Sequence, residues 1–442
     1  MSYDWNRRKG DYLFADRSTN YRICARCIMD TSDSEIVFDE HGVCSHCQAF
    51  AQAMKTCVFT GEDARQRLEV IVEQIKREGH GKRYDSILGL SGGVDSSYTA
   101  HVVAQYGLRP LAVHMDNGWN SEQAVRNVEN IVKKLSLDLH TEVLDWNEFK
   151  NLQLAFLRAS TPDSEIPTDH AIVATLYKLA AKFKVRWLPE GSNVATEMMV
   201  PATWSHGHSD WRYIRNLNDM FGGRPLKTYP HYTYFDYLVK LPKIQKIARF
   251  PILNYLPYQK TAAMDVLKRE FGWEYYGGKH YESIYTRFYQ GYILPVKFGF
   301  DKRRSHISCL INNGELTRED ALREIEKPAI EPQQLREDRA FVLKKFGLTE
   351  REFEDIMALP RKTFWDYPSY ERDFAASLEG RFYYFWTGFP NQTRHHVKRA
   401  LLLAKRVMCG AARRLLRVPG RGLYSMYRAV RSVVLRSLRG RT

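Results

Sequence analysis

No apolar run in this 442-residue chain is long enough to cross a bilayer as a helix, so nothing in it is expected to span a membrane. The chain also lacks a G-x-x-x-x-G-K-[ST] loop, which excludes a Walker-type phosphate cradle. Cysteine is scarce: there are seven, and none falls between Cys57 and Cys309. A glutaminase needs a nucleophilic cysteine at its N-terminus or on an elbow with a histidine partner. Residue 2 is Ser2, and Cys57, Cys309 and Cys409 sit in no such context, so any ammonia is expected from elsewhere. Acidic residues vanish from Gly380–Thr442, which holds 15 Lys and Arg. The remainder carries 51 basic against 51 acidic residues, so the net charge of +15 belongs to the tail. The body therefore offers no electrostatic reason to expect a nucleic-acid partner. Met1-Ser2-Tyr3-Asp4-Trp5 is polar, without the apolar core of a secretory leader, and a cytoplasmic location is expected.

The most informative feature that is present is Ser91-Gly92-Gly93-Val94-Asp95-Ser96-Ser97, directly after the apolar run Ile87–Leu90. A strand running into S-G-G-V-D-S and then a helix, from about Ser96 to Tyr106, makes a pyrophosphate cradle. The glycines let backbone approach the phosphates, and amides at the helix start donate to the anion. Just upstream, Cys24-Ala25-Arg26-Cys27 and Cys44-Ser45-His46-Cys47 form two C-x-x-C pairs with 16 residues between them. Four thiolates at this spacing suit tetrahedral Zn²⁺, with two disulfides as the alternative. A site filled by four cysteines has no open position, so the zinc is expected to be structural.

Strand and helix patterns alternate from Tyr84 to about Asn193. Strands are expected at Ile87–Leu90, Leu111–Met115, His140–Leu144 and Val185–Leu188. Helices are expected around Gly61–Arg77, Ser121–Leu135 and Asp169–Phe183. This order predicts an α/β fold with a parallel, doubly wound sheet, whose ligands lie beyond the carboxyl ends of the strands. The loops starting at Ser91, Asp116 and Glu190 fall there. Four regions follow: a zinc-binding module with its lead-in (1–55), a nucleotide domain (56–199), an aromatic-rich, mostly helical region (200–379) and a basic tail (380–442).

Further motifs make a resemblance specific. Ile28-Met29-Asp30-Thr31-Ser32 lies between the cysteine pairs, and Phe38-Asp39-Glu40-His41-Gly42-Val43 precedes the second. Downstream lie Pro167-Thr168-Asp169-His170, Tyr276–Ser283 and Lys297–His306. With the S-G-G-V-D-S loop, these resemble the N-acetyl sugar amidotransferases of the PP-loop ATP-pyrophosphatase superfamily, from bacterial surface-glycan pathways. The resemblance spans roughly Tyr21–Pro328. It implies an adenine nucleotide alpha hydrolase-like sheet, an N-terminal zinc ribbon, and ATP, Mg²⁺ and structural Zn²⁺ as cofactors. It also implies adenylation of the acetamido oxygen of a nucleotide-activated sugar and its replacement by ammonia, in O-antigen, lipopolysaccharide or related biosynthesis. A separate glutaminase subunit is the implied ammonia source.

On this reading Ser91, Gly92, Gly93, Ser96 and Ser97 cradle the pyrophosphate, and Asp95 either caps the helix or helps hold Mg²⁺. His114 and Asp116 border the adenosine. Asp169, Glu190, Gly191 and Asn193 face the acceptor, as do Lys279 and Glu282. Lys302 and Arg303 join Asp95 as catalytic candidates through contacts to phosphate. His206 and His208 beside Asp210 suit either a second metal site or an acceptor-facing loop. A tRNA thiolation enzyme is the rival within the superfamily, and a non-catalytic zinc-ribbon interaction protein the rival outside it. In the tail, Val397, Leu401, Ala404, Met408, Ala411 and Leu415 fall at helical spacing with Arg399, Arg406, Arg413 and Arg417 opposite. Such a basic amphipathic segment suits peripheral contact with an anionic membrane at its inner face.

Overall fold

The computed structural model describes residues 21–376. The tail helices expected beyond Glu379 lie outside them. Described residues up to Tyr370 belong to one compact unit, and a second begins at Glu371. Of that second unit only a short helical stretch, to Ala376, is described.

The four-cysteine module is two knuckles pinned by single antiparallel bridges, Ile23 to Asp30 and Phe38 to Cys44. Helix α1 (Ser45–Cys57) leaves the second knuckle, and α2 (Gly61–Glu78) leads to the sheet. Strand β1 (Ser86–Gly89), α3 (Val94–Gln105), β2 (Pro110–Asp116), α4 (Glu122–Leu135) and β3 (Asp138–Val143) then alternate. Ser121 starts α4 by accepting a hydrogen bond from Ala124 N–H, and Ser136 ends it in a left-handed conformation. Next come α5 (Trp146–Ala159), α6 (Ile166–Phe183), β4 (Trp187–Pro189) and the single-turn α7 (Val194–Glu197).

The sheet order is β3-β2-β1-β4-β5, and every neighbouring pair is parallel. The first four strands lie where alternation of pattern predicts them, shifted by one or two residues. The fifth, β5 (Ala248–Phe250), comes from the aromatic-rich region and pairs with β4 from Trp187 to Pro189. The sheet therefore draws on both sides of the boundary expected at residue 199. Apolar side chains of α2, α3, α4 and α9 (Lys260–Phe271) bury one face around Leu88, Leu90 and Ala112. Those of α6 bury the other around Ile87, Leu111 and Val113. β1 and its turn sit centrally, at the point where the strand order reverses, which is the ligand crevice of such sheets.

The remaining helices are α8 (Trp211–Leu217), α10 (Ile284–Phe288), α11 (Arg303–Asn312), α12 (Arg318–Glu326), α13 (Pro332–Phe346) and α14 (Glu350–Ala358). A π-helical stretch, Tyr289–Phe298, continues α10. All of these except α12 share one core with the cysteine knuckles, built on Trp119, Tyr285, Phe288 and Phe346. The four-cysteine module is thus packed against the α11 side of the molecule. Arg304 pairs with Asp30 at 3.0 Å and donates to the Ile28 carbonyl, while Arg318 donates to the carbonyls of Cys24 and Cys27.

Candidate active site

The turn after β1 is shaped by contacts that leave no room for a side chain. Gly92 has φ +85°, and a Cβ there would lie 2.6 Å from the Ala124 carbonyl oxygen. The Gly92 carbonyl accepts from the Trp273 indole at 2.8 Å, which fixes the peptide orientation. Ser91 Oγ accepts from Gly93 N–H at 3.2 Å and lies 3.1 Å from Ser96 Oγ. Gly93 is the N-cap of α3 and no side chain caps this helix. Its first-turn amides therefore remain suited to an anion. Gly191 completes the wall: a Cβ there would lie 2.7 Å from the Asp95 carbonyl carbon, so only glycine lets the two loops meet.

Asp95 does not cap the helix. Its carboxylate takes the Lys279 ammonium at 3.2 Å, the Thr196 hydroxyl at 3.3 Å and the Tyr258 hydroxyl. Burial alone would raise the acid's pKa, but Lys279 and then Tyr258 hold it below the usual range. Lys279 also pairs with Glu197 at 3.1 Å and reaches Thr196 Oγ1 at 3.0 Å. Burial disfavours its charge, yet Asp95 and Glu197 push its pKa upward, so the ammonium is fixed in place. Lys260, at the start of α9, is the counterpart. Burial and the neighbouring Lys279 lower its pKa, and it is not in an ion pair among the described residues. An under-compensated cation beside uncapped amides is ready for a polyanion.

These groups line a pocket of about 180 Å³, formed by Ser91, Gly93, Asp95, Ser96, Gly191 and Ser192 with Lys260, Lys279, Tyr276 and Glu282. Both Asp95 oxygens accept hydrogen bonds, from Tyr258 on one side and from Lys279 and Thr196 on the other. A hard cation arriving with phosphate takes phosphate oxygens and water, and Glu197 offers the pocket oxygen that is not bonded to Lys279.

Several expected residues lie elsewhere or do other work. Ser97 is fully buried beneath the turn, outside the pocket. His114 ties β2 to the turn through Leu90 O at 2.9 Å and Asn120 at 3.0 Å. Asp116 accepts from Gly118 N–H and shapes its own loop. Glu190 pairs with Arg249 at 2.7 Å on the edge of the sheet instead of facing an acceptor. Asn193 caps α7 and braces Gly191. Arg303 is not at the phosphate site: its guanidinium is bound by Asp301 and by carbonyls at the end of α12, including Lys327 O at 2.9 Å. Sequence reasoning missed Glu197, Tyr258, Lys260, Tyr276 and His306. Of these, Tyr276 and His306 stood in motif blocks already noted, and the Gly277-Gly278 pair marks the loop of Tyr276.

A second polar cluster surrounds His208. Its Nε2 lies 3.3 Å from both Asp163 and Asp169, and Ser205 donates to Asp163. Burial works against the His208 cation, but the two carboxylates raise its pKa to about 10. Among the described residues only the four cysteines group as a candidate metal site, and in the His206–Asp210 block His208 is paired with Asp163 and Asp169. Glu165 accepts from Thr286 at 2.8 Å, and burial, with Asp169 and Asp163 adding to it, raises its pKa to about 8. Lys302 faces this cluster electrostatically. A carboxyl raised on folding lends stability below its unfolded pKa and loses it as pH rises through about 8. Glu165→Gln is accordingly expected to raise the melting temperature by a few degrees at pH 9 and leave it unchanged at pH 4. Equal effects at both pH values in thermal scans would contradict this.

The four cysteine sulfurs lie within 4.8 Å of one another, with Cys24–Cys47 at 3.9 Å and Cys27–Cys44 at 3.7 Å. Zn–S bonds of about 2.3 Å in a tetrahedron give sulfur separations of about 3.8 Å, so the residues fit zinc. Amides of Arg26, Cys27, Met29 and Cys44 donate to the sulfurs, as thiolates require.

Residues 65–161 match the NAD synthase family model, and residues 282–379 match "LPS biosynthesis protein WbpG-like, C-terminal domain". An uncharacterized protein of Methanocaldococcus jannaschii is 22% identical over 71% of this chain and 96% of its own length. A tRNA-specific 2-thiouridylase of Vesicomyosocius okutanii is 36% identical, over 18% of this chain and 25% of that protein. An NH3-dependent NAD synthetase from Campylobacter jejuni, solved with a nitrate ion, covers 68% of this chain and 98% of its own at 14% identity and TM-score 0.26. An NMN synthetase from Francisella tularensis covers 50% and 89% at 14% identity and TM-score 0.24. The resemblance read from the motifs thus holds at the level of two domains. The chain carries an ATP-using, ligase-type PP-loop domain of the NAD synthase kind and a WbpG-like domain after it. Together with the parallel sheet, the helical region and the four-cysteine knuckles, this is the expected fold class.

Proposed function

We propose that this chain is an ATP-dependent amidotransferase of lipopolysaccharide or related surface-glycan biosynthesis, converting an acetamido group of a nucleotide-activated sugar into an acetamidino group. The observation that carries this reading is a shared pocket. Ser91, Gly93, Asp95 and Ser96, from the segment matching NAD synthase, line it together with Glu282, the first residue of the WbpG-like segment. A cradle for ATP is thereby joined to one residue of the part that distinguishes this chain from a NAD synthetase.

An amide carbonyl is a poor electrophile and its oxygen a poor leaving group. Attack of that oxygen on the α-phosphorus of ATP forms the O–P bond, breaks the bond to pyrophosphate and releases the amide proton. The turn amides, Lys279 and Lys260 would hold the departing pyrophosphate and screen its charge. Magnesium, bound with ATP, would neutralise phosphate charge. Ammonia then forms the C–N bond, the C–O bond to AMP breaks with its electron pair, and the product leaves as an amidinium.

The ammonia source is proposed to be a separate glutaminase, since the chain has no cysteine in a glutaminase context. Residues 58–308 hold no cysteine, which disfavours the tRNA thiolation alternative despite the local likeness to a thiouridylase. No helix among the described residues is long and apolar enough to cross a membrane. Peripheral contact through the basic tail stands as part of the proposal. Mass spectrometry of UDP- and CMP-linked diacetamido sugars, incubated with the chain, Mg-ATP and ammonium, tests it. The expected product has one oxygen replaced by NH, formed with AMP. AMP formation with every sugar unchanged would exclude these acceptors.

A further inference from the structure

Beside the pocket, Glu282 Oε2 and both ring nitrogens of His306 are shut off from solvent and make no hydrogen bond. A buried polar atom left unpaired is costly, so such atoms beside a pocket call for a partner that the chain itself does not supply. One side chain connects them. His280 Nδ1 lies 3.7 Å from Glu282 Oε1, and its ring centroid is 5.7 Å from that of His306. His280 has φ +64°, a left-handed conformation that His adopts more readily than most side chains and that here turns its ring toward both groups.

The charge states are complementary. Burial would raise the pKa of Glu282, but His280 and Tyr276 lower it, so the carboxylate is ionised. Burial, and then the neighbouring Lys279 with Lys302 and Lys260, push His306 well below the usual range, so its imidazole is neutral. An ionised carboxylate with an open oxygen and a neutral imidazole with an open acceptor nitrogen suit a small cation rich in N–H donors. Glu282 Oε1 also lies 3.4 Å from where a Cβ on Gly93 would stand, so this carboxylate borders the turn that holds the reacting phosphate.

We propose that Glu282 and His306 form the nucleophile subsite, taking ammonium and releasing it as ammonia toward the activated carbonyl; the role of the nucleophile rests on the amidotransferase reading above. One proton of ammonium passes to the ionised Glu282 carboxylate, whose side chain is 14% exposed, and from there to water, while the neutral His306 nitrogen accepts a hydrogen bond from the ammonia left behind. The surrounding lysines favour this loss because they make a further cation costly. Ammonia, keeping its three hydrogens, then attacks the adenylated carbon.

The test uses the full chain with ¹⁵N-ammonium chloride as probe, in the presence of AMP and pyrophosphate. Saturation transfer from protein to ammonium is read by NMR for wild type, Glu282→Gln, His306→Leu and His306→Gln, each checked for a native thermal transition. Saturable transfer in wild type that falls at least about fivefold in Glu282→Gln and His306→Leu, with partial recovery in His306→Gln, supports the subsite. No saturable transfer in wild type, or equal transfer in all four, overturns it and identifies the unpaired atoms as water sites. With an accepted sugar, the same variants are expected to raise the ammonium KM about tenfold while the ATP KM stays within about twofold. Amidine formation with an unchanged ammonium KM would remove the subsite and leave the proposed function standing. Saturable ammonium binding with no amidine from any sugar would do the reverse.

Discussion

Lys279→Ala is expected to lower kcat/KM for pyrophosphate release by about a thousandfold, the upper range for removing one preorganised donor to developing charge. The ammonium lies among Asp95, Glu197 and Thr196, on the wall of the pocket formed by the phosphate-binding turn. Stability should fall as well, by about 3 kcal/mol, because two partly buried carboxylates lose their counter-charge. The two effects can be separated. Adding Asp95→Asn to Lys279→Ala removes one orphaned charge and should recover part of the stability. Activity should not return, since the pocket still lacks its fixed cation. A double variant that regained wild-type turnover would show that Lys279 serves the fold alone. Pyrophosphate release and urea unfolding, measured on the same preparations, decide between these outcomes.

Loss of the zinc-binding thiolates is the second large effect. Cys44→Ser is expected to lower the melting temperature by about 5 °C, the shift that losing about 4 kcal/mol gives in a unit of this size. ATP use should fall in parallel, although the cysteines lie outside the pocket. The connection runs through α11. Ile28 N–H donates to Ser308 Oγ at 3.3 Å, and Asn312 donates to Cys47 Sγ at 3.4 Å and lies 3.5 Å from the Met199 sulfur. α11 also carries His306, and it packs on α7, whose Glu197 holds Lys279. Removing the metal therefore loosens the support of two walls of the site. Zinc content, thermal transition and pyrophosphate release should decline together across a chelator titration. Full release from a zinc-free, folded protein would sever this link.

How much of this was legible in the residues varied with the kind of signal. The turn at Ser91–Ser96 and the cysteine pairs could be read because each is a short local pattern whose spacing carries its chemistry. Four strands could be read because apolar runs alternated with helical periods. β5 could not: Ala248-Arg249-Phe250 is three residues long, in a stretch too aromatic to show a period. The pocket draws Glu197, Lys260 and Lys279 from distant parts of the chain, and no spacing encodes that convergence. Arg303 shows the opposite failure. A basic cluster reads the same whether it meets phosphate or the carbonyls at a helix end, and here Asp301 and α12 take the guanidinium. Glu190 was misplaced for a similar reason. Its position after a strand is right, but Arg249 on β5, itself unseen, takes the carboxylate.

The central claim is that this pocket holds the pyrophosphate of ATP during cleavage between the α and β phosphates. Phosphorus NMR of the full chain with Mg-ATP, ammonium and the diacetamido sugar panel tests it most directly. The account predicts AMP and pyrophosphate in equal amounts, dependent on the sugar and abolished by Lys279→Ala. ADP and phosphate, or AMP and pyrophosphate from Lys279→Ala at the wild-type rate, would contradict it.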